Sequence, residues 1–140
     1  MAEGRERRST PSRPFEQSAA WVVGLLLPVA EAARRRSDFS DIPGYVDDFI
    51  IGGFLLFAAW WAEQRPSIGR VLLVASWGSF CGGMYYAFFG QLRSGQRLDV
   101  SGLPNAAVLF VKGAMFGVGV IALVRATRAA IAAAATREPT

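Results

Sequence analysis

The sequence predicts an all-α membrane protein with three long transmembrane helices and a short N-terminal apolar helix. Hydrophobic residues make up 52% of the 140 positions, and the mean hydropathy is +0.29, which is apolar for a soluble chain of this length. Three stretches, 45–62, 71–92 and 106–124, are mainly apolar and close to the roughly 20 residues that a helix needs to cross a bilayer. Little of the chain is left to form a soluble domain.

The N-terminal third is predicted in two parts. Residues 1–17 are charged, contain two prolines and lack apolar periodicity, so they are expected to form a disordered basic tail. Residues 18–33 are expected to form a short apolar helix interrupted by Pro28. Its length favours an interfacial or re-entrant helix, but a fourth span stays open. A second alternative is a signal peptide cleaved near Ala32, although the arginines that follow would oppose export.

The rest of the chain, 34–135, is expected to form the transmembrane bundle, followed by a tail at 136–140. Trp60 and Trp61 suit the membrane interface at the end of the first span. Pro66 suits the first turn of the next helix, so the first two spans are predicted to form a tight antiparallel hairpin. The third helix starts near Pro104 and meets no helix breaker before about residue 135, which makes it longer than one bilayer.

The charges indicate topology and lipid contact. The net charge is +4, and 14 of the 15 cationic residues are arginine. These arginines flank the apolar stretches and form no continuous basic face, which argues against nucleic acid as a partner. With three spans and a cytoplasmic N-terminus, nine arginines lie inside and five outside, and a fourth span gives the same totals. The triplet Arg34, Arg35 and Arg36, predicted to contact lipid headgroups, favours three spans and an external C-terminus.

The residue types argue against metal, cofactor and enzyme chemistry. The chain has no histidine and a single cysteine, Cys81, so the usual ligand sets for zinc and haem are absent. Asp38 and Asp41, together with two later aspartates, match no catalytic spacing for magnesium. We therefore expect no cofactor, no metal and no enzymatic activity.

Two aspartates and one lysine form the predicted polar site. Lys112, the only lysine, lies inside the third apolar stretch, where a cation is costly unless it reaches the headgroups or a counter-charge. Asp47 and Asp48 stand near the start of the first span. Helical spacing puts Asp48 on the face of Gly52, with small residues suited to helix contact, and Asp47 on a more lipid-like face. We predict an Asp48–Lys112 ion pair, with Asp47 nearby. The alternative is that both aspartates complement the helix dipole.

Glycines provide the predicted packing surfaces. Small residues spaced by four let transmembrane helices approach closely. Two such patterns occur in the second and third spans, and they predict close packing within one chain or between copies. The residues are Gly78, Gly82 and the offset Gly83, and then Gly113 and Gly117.

These features predict a non-enzymatic subunit, scaffold or interaction partner, in contact with membrane lipid and with copies of itself or another membrane protein. The alternative is an oligomeric small transporter or channel with a polar path lined by Asp48 and Lys112. The arginine- and alanine-rich, lysine-poor composition is typical of a high-GC bacterium, so the expected location is the bacterial cytoplasmic (inner) membrane, with several crossings.

Overall fold

A computed structural model describes residues 13–35, 42–95, 97–99 and 101–136. Most of the two predicted tails therefore lies outside the described residues. The same is true of Arg36, Asp38 and Asp41. Within the described parts the chain is all-helical. The four helices are α1 (Phe15–Arg35), α2 (Ile42–Gln64), α3 (Pro66–Arg93) and α4 (Asn105–Ala135).

The number of long apolar spans differs from the three that the sequence predicts. Among the described residues two helices are long and apolar enough to cross a membrane, and these are α3 and α4. α2 has 23 residues, but Asp47 and Asp48 near its start and Glu63 near its end shorten its uninterrupted apolar stretch. α2 itself is formed, and these charges leave 49–62 as its uninterrupted apolar stretch.

The helices pack in the order of the chain. α1 packs against α2, α2 against α3, and α3 against α4, while α1 contacts α3 and α4 only lightly. In the described parts the backbones of α2 and α4 do not approach each other closely. Successive helices run antiparallel, which defines two ends. The lysine end contains the end of α1, the start of α2, the end of α3 and the start of α4; the Glu63 end contains the other four termini.

The core is centred on one tryptophan of α3. Trp77 is fully buried, and its Nε1 donates a hydrogen bond of 3.1 Å to the main-chain oxygen of Glu16 in the first turn of α1. Its ring packs edge to face against Phe80, with 5.4 Å between the centroids. Burying an indole requires a partner for its N–H, so this bond fixes α1 against α3. The surrounding buried residues include Ala20, Leu55, Ala58, Ala59, Leu73, Ala122 and Ala126.

Close helix crossings occur at Gly69, which the sequence patterns do not single out, and at Gly52, which the sequence places on a face suited to helix contact. A Cβ added to Gly69 would lie 2.2 Å from the Cα of Ala62, so the α2–α3 hairpin requires glycine there. A Cβ on Gly52 would lie 2.8 Å from the main-chain oxygen of Gly24. That oxygen cannot receive the usual intrahelical N–H, because the residue four positions later is Pro28. The proline thus exposes a carbonyl at the point where α2 comes closest to α1.

Candidate functional site

Lys112 belongs to a polar cluster at the lysine end, where α3 ends and α4 begins. Its Nζ donates a hydrogen bond of 2.9 Å to Oε1 of Gln91. The Nε2 of Gln91 donates to Oδ1 of Asp99 at 3.2 Å and also to Oδ1 of Asn105. The side chain of Gln91 therefore links Lys112 to Asp99, in the loop between α3 and α4, and to Asn105, the first residue of α4. We call Gln91, Asp99, Asn105 and Lys112 the glutamine cluster.

The loop between α3 and α4 holds Asp99 in this cluster. Asp99 is only 8% exposed, and its Oδ2 accepts hydrogen bonds from the main-chain N–H and the hydroxyl of Ser101, at 3.1 and 2.8 Å. Gly102 has a φ of 78°, a left-handed conformation that glycine adopts without strain. Its N–H donates to the main-chain oxygen of Asp99 at 2.8 Å, which closes the turn.

The two aspartates of α2 line a cavity on the same end of the bundle. Its volume is about 420 Å³, and α1, α2 and α3 form its walls. Asp48 is half-buried and Asp47 is exposed. A third carboxylate, Glu31 of α1, also lines the cavity and is only 7% exposed. The remaining lining is mainly apolar and consists of Leu27, Ile51, Phe80, Gly83, Met84, Tyr86 and Ala87. We call this space the carboxylate cavity.

The predicted Asp48–Lys112 ion pair stays a prediction. The described contacts bring Lys112 to Gln91 and Asp48 to the carboxylate cavity, on two helices whose backbones do not approach each other closely in the described parts. Both side chains have interaction partners beyond these. Among the described residues, no group of three or more histidine, cysteine, aspartate and glutamate side chains has the arrangement of a metal site.

The predicted packing glycines fall into two groups. A Cβ on Gly83 would lie 2.9 Å from Cδ1 of Ile51, and one on Gly113 would lie 3.0 Å from Cε2 of Phe88, so these two serve packing inside the chain. At Gly78, Gly82 and Gly117 the added Cβ would meet no described atom within 4 Å.

Two of the three predicted headgroup residues belong to α1, at the lysine end. Arg34 and Arg35 are the last two residues of α1. Their side chains and the whole of Arg36 lie outside the described parts.

The Glu63 end carries a second set of polar contacts that sequence reasoning missed. Glu63 of α2 accepts from three groups of the α1 region: Nη2 of Arg13 at 3.1 Å, Nε2 of Gln17 at 3.4 Å and Nε1 of Trp21 at 3.4 Å. Helical spacing offered a signal, because Gln17 and Trp21 are four residues apart and share one face of α1. Glu31 was missed as well, although it follows Leu27 at the same spacing.

Among the described residues, an ion pair connects the first helix to the last. Nε of Arg125 on α4 lies 3.5 Å from Oε2 of Glu16 on α1. The same guanidinium lies 5.5 Å from the ring centroid of Phe15, within cation–π range. We call the contact of Arg125 with Phe15 and Glu16 the α1–α4 clasp.

No known protein family, curated protein or solved structure matches this chain.

Proposed function

We propose that this chain is a multi-pass integral membrane protein that acts as a non-enzymatic subunit or scaffold and assembles with further copies of itself. The burial of α3 and α4 supports the membrane location. Only 22% of the most apolar window of α3 and 11% of that of α4 are buried. The central helix of a soluble protein would be mostly buried, and neither helix has the N-terminal position of a signal sequence.

Apolar side chains face outward around the whole bundle, which is the arrangement expected of a protein dissolved in lipid. Water-soluble monomers rarely expose contiguous apolar patches larger than a few hundred Å². Exposed large apolar residues occur on all four helices, among them Val22, Leu25 and Val29 on α1, Phe49, Ile50 and Phe57 on α2, Val71 and Tyr86 on α3, and Phe110, Ile121 and Ile131 on α4.

In this proposal all four helices cross the membrane, and both termini lie on the cytoplasmic side. α1 has 21 residues, or ~31 Å at ~1.5 Å per residue, and it packs along α2 as an antiparallel neighbour. Nine arginines then lie inside and five outside, in agreement with the positive-inside rule. The three-span alternative gives the same totals but puts the C-terminus outside. The bacterial cytoplasmic membrane remains our proposal for the location.

The observation that carries self-assembly is the open small-residue face of α3. Ala75, Gly78, Ser79 and Gly82 are all exposed, and they follow one another along one side of the helix. Glycine weakens a helix by ~1 kcal/mol relative to alanine. Elsewhere in this chain, glycines such as Gly69 permit close backbone approach. At positions 78 and 82 no described residue packs against the glycine. We therefore propose that the α3 helix of a second copy packs there.

Co-purification of two differently tagged copies from one membrane tests this proposal. We expect the wild-type chain to co-purify with itself, and Gly78→Leu and Gly82→Leu to abolish the association. The matched control is Gly53→Leu, since Gly53 of α2 is exposed and also lacks a described neighbour within 4 Å. Unchanged co-purification of the α3 variants would overturn self-assembly through this face. Recovery of a different membrane protein in place of a second copy would keep the scaffold role and change its partner.

The carboxylate cavity favours a second candidate, an oligomeric small transporter or channel that handles a cation. In this reading, Asp48 and Lys112 line a polar path, and copies of the chain complete it. Purified protein in vesicles with an internal pH- or potassium-sensitive dye should then show a flux. Asp48→Asn should abolish it, whereas Glu63→Gln at the other end should not. No flux above protein-free vesicles would eliminate this candidate.

A further inference from the structure

A second, smaller cavity lies at the Glu63 end, between the start of α3 and the end of α4. Its volume is about 120 Å³, which is room for a few water-sized groups and far below a drug-sized pocket. Arg70 and Ser67 are the polar residues of the α3 wall, and the α4 wall is made of alanines. The lining residues are Ser67, Arg70, Val71, Ala130, Ala133 and Ala134.

Arg70 has a buried side-chain donor without a partner among the described residues. Arg70 is half-buried, and its Nε is shielded from solvent without a hydrogen-bond acceptor among the described residues. A buried donor without a partner is costly, and in native proteins such a donor commonly marks an ion or a water. Two other arginines at this end of the bundle do have acceptors. Arg13 is paired with Glu63, and Arg125 is paired with Glu16.

We propose that this cavity binds a phosphate group, held by the guanidinium of Arg70 and the hydroxyl of Ser67. A guanidinium offers a planar fork of donors that matches two phosphate oxygens and remains charged at any physiological pH. Val71 and the alanines of α4 give the rest of the site an apolar lining, and a low local dielectric strengthens a charge-assisted hydrogen bond. The cavity size fits one small oxyanion.

Two sources supply this chemistry, a phospholipid headgroup and free inorganic phosphate. A position at one end of a helical bundle suits a headgroup, since basic pockets between transmembrane helices hold phospholipids in this way. The site goes beyond the proposed function, because a phosphate site between α3 and α4 requires neither self-assembly nor a scaffold role. It also lies on the opposite end of the bundle from Arg34 and Arg35, two of the predicted headgroup residues.

The test measures binding to the purified full chain in a phosphate-free maltoside detergent. The probes are dioctanoyl phosphatidic acid, dioctanoylglycerol, which lacks only the phosphate, and inorganic phosphate. We expect phosphatidic acid to bind and dioctanoylglycerol not to bind. Arg70→Gln should weaken binding about tenfold or more, the size of one charge-assisted hydrogen bond. Arg128→Gln is the matched control, since Arg128 is exposed and does not line the cavity.

The outcomes separate the two sources and the competing explanation. Binding of phosphatidic acid but not of inorganic phosphate assigns the site to a lipid, and binding of both assigns it to the phosphate itself. Equal affinity of Arg70→Gln and Arg128→Gln would overturn the proposal and leave Arg70 as a counter-charge for the negative end of α4. Absence of phosphate-dependent binding in the wild type would overturn it as well. If circular dichroism shows that Arg70→Gln is unfolded, Ser67→Ala and Arg70→Lys take its place, and both must bind more weakly than the control.

Discussion

Lys112 shows how a cation is accommodated next to an apolar helix. Its ammonium meets the neutral amide oxygen of Gln91, and that amide is in turn held by Asp99 and Asn105. The sequence pointed to a carboxylate partner because an opposite charge is the simplest way to stabilise a buried cation. A glutamine near the end of α3 gave no comparable signal, since its role depends on the loop that brings Asp99 back to it.

Removal of Gln91 should therefore weaken the lysine end. We expect Gln91→Ala to lower the free energy of unfolding by about 1–3 kcal/mol. The reason is that the side chains of Asp99, Asn105 and Lys112 each lose a hydrogen bond to Gln91. Thermal unfolding in detergent, followed by the helical circular-dichroism signal, measures this. Gln64→Ala is the control, since Gln64 is exposed and makes no hydrogen bond through its side chain among the described residues. Equal melting temperatures for the two variants would contradict the role of the glutamine cluster.

A charge exchange tests the ion pair that the sequence predicts. If Asp48 and Lys112 interact, Asp48→Lys and Lys112→Asp should each reduce the amount of folded protein in the membrane, and the double variant should restore it. The measurement is the yield of monodisperse protein after detergent extraction. A double variant no better than either single one would remove the pairing and leave each residue with its own local partners.

At the level of helices, the contrast between glycines is the informative feature. Gly69 permits the closest approach in the bundle, whereas Gly78 on the same helix points to open space. The sequence identified Gly78 by its four-residue spacing and passed over Gly69, because no pattern reveals which helix faces which. α3 and α4 are apolar on most sides, so periodicity does not separate the buried face from the lipid-facing one. The start of α3 was easier to predict from the sequence, since proline is favoured in the first helical turn and Pro66 stands there.

Alanine substitutions should separate the two kinds of glycine. A Cβ at position 69 would overlap the backbone of Ala62, so we expect Gly69→Ala to cost about 1–3 kcal/mol, as overpacking does. Gly78→Ala meets no described atom and should leave the stability of one chain unchanged or raise it by up to ~1 kcal/mol. Thermal unfolding of both variants under identical conditions decides the point. A loss at position 78 as large as that at position 69 would show that Gly78 has a packing partner, either in the same chain or in a second copy.

For the whole molecule, the proposed number of membrane crossings determines the side on which each loop lies. Four antiparallel helices put the α2–α3 turn inside and the α3–α4 loop outside, whereas three spans reverse both locations. The sequence could not decide, because the arginine totals are the same for both arrangements. The structure adds that α1 runs alongside α2 through its full apolar part, from Ala20 to Leu27 in the core.

Cysteine labelling distinguishes the two topologies. In a Cys81→Ser background, we expect Ser94→Cys to react with a membrane-impermeant maleimide in intact cells, and Gln64→Cys to react only after permeabilisation. Both positions are exposed at the ends of helices. The reverse pattern would establish the three-span arrangement. Labelling of both positions in intact cells would argue against either topology.

The α1–α4 clasp has a mechanical consequence. Three helix pairs are packed tightly, but the fourth side of the bundle is joined by light contacts and by an ion pair whose arginine is 57% exposed. Such a pair contributes only ~0–1 kcal/mol. The bundle is therefore a folded row of four helices, in which separation of α1 from α4 breaks the clasp and, where α1 also leaves α3, the hydrogen bond between Trp77 and Glu16. We therefore expect thermal fluctuations to separate α1 from α4 before they disrupt any other helix contact.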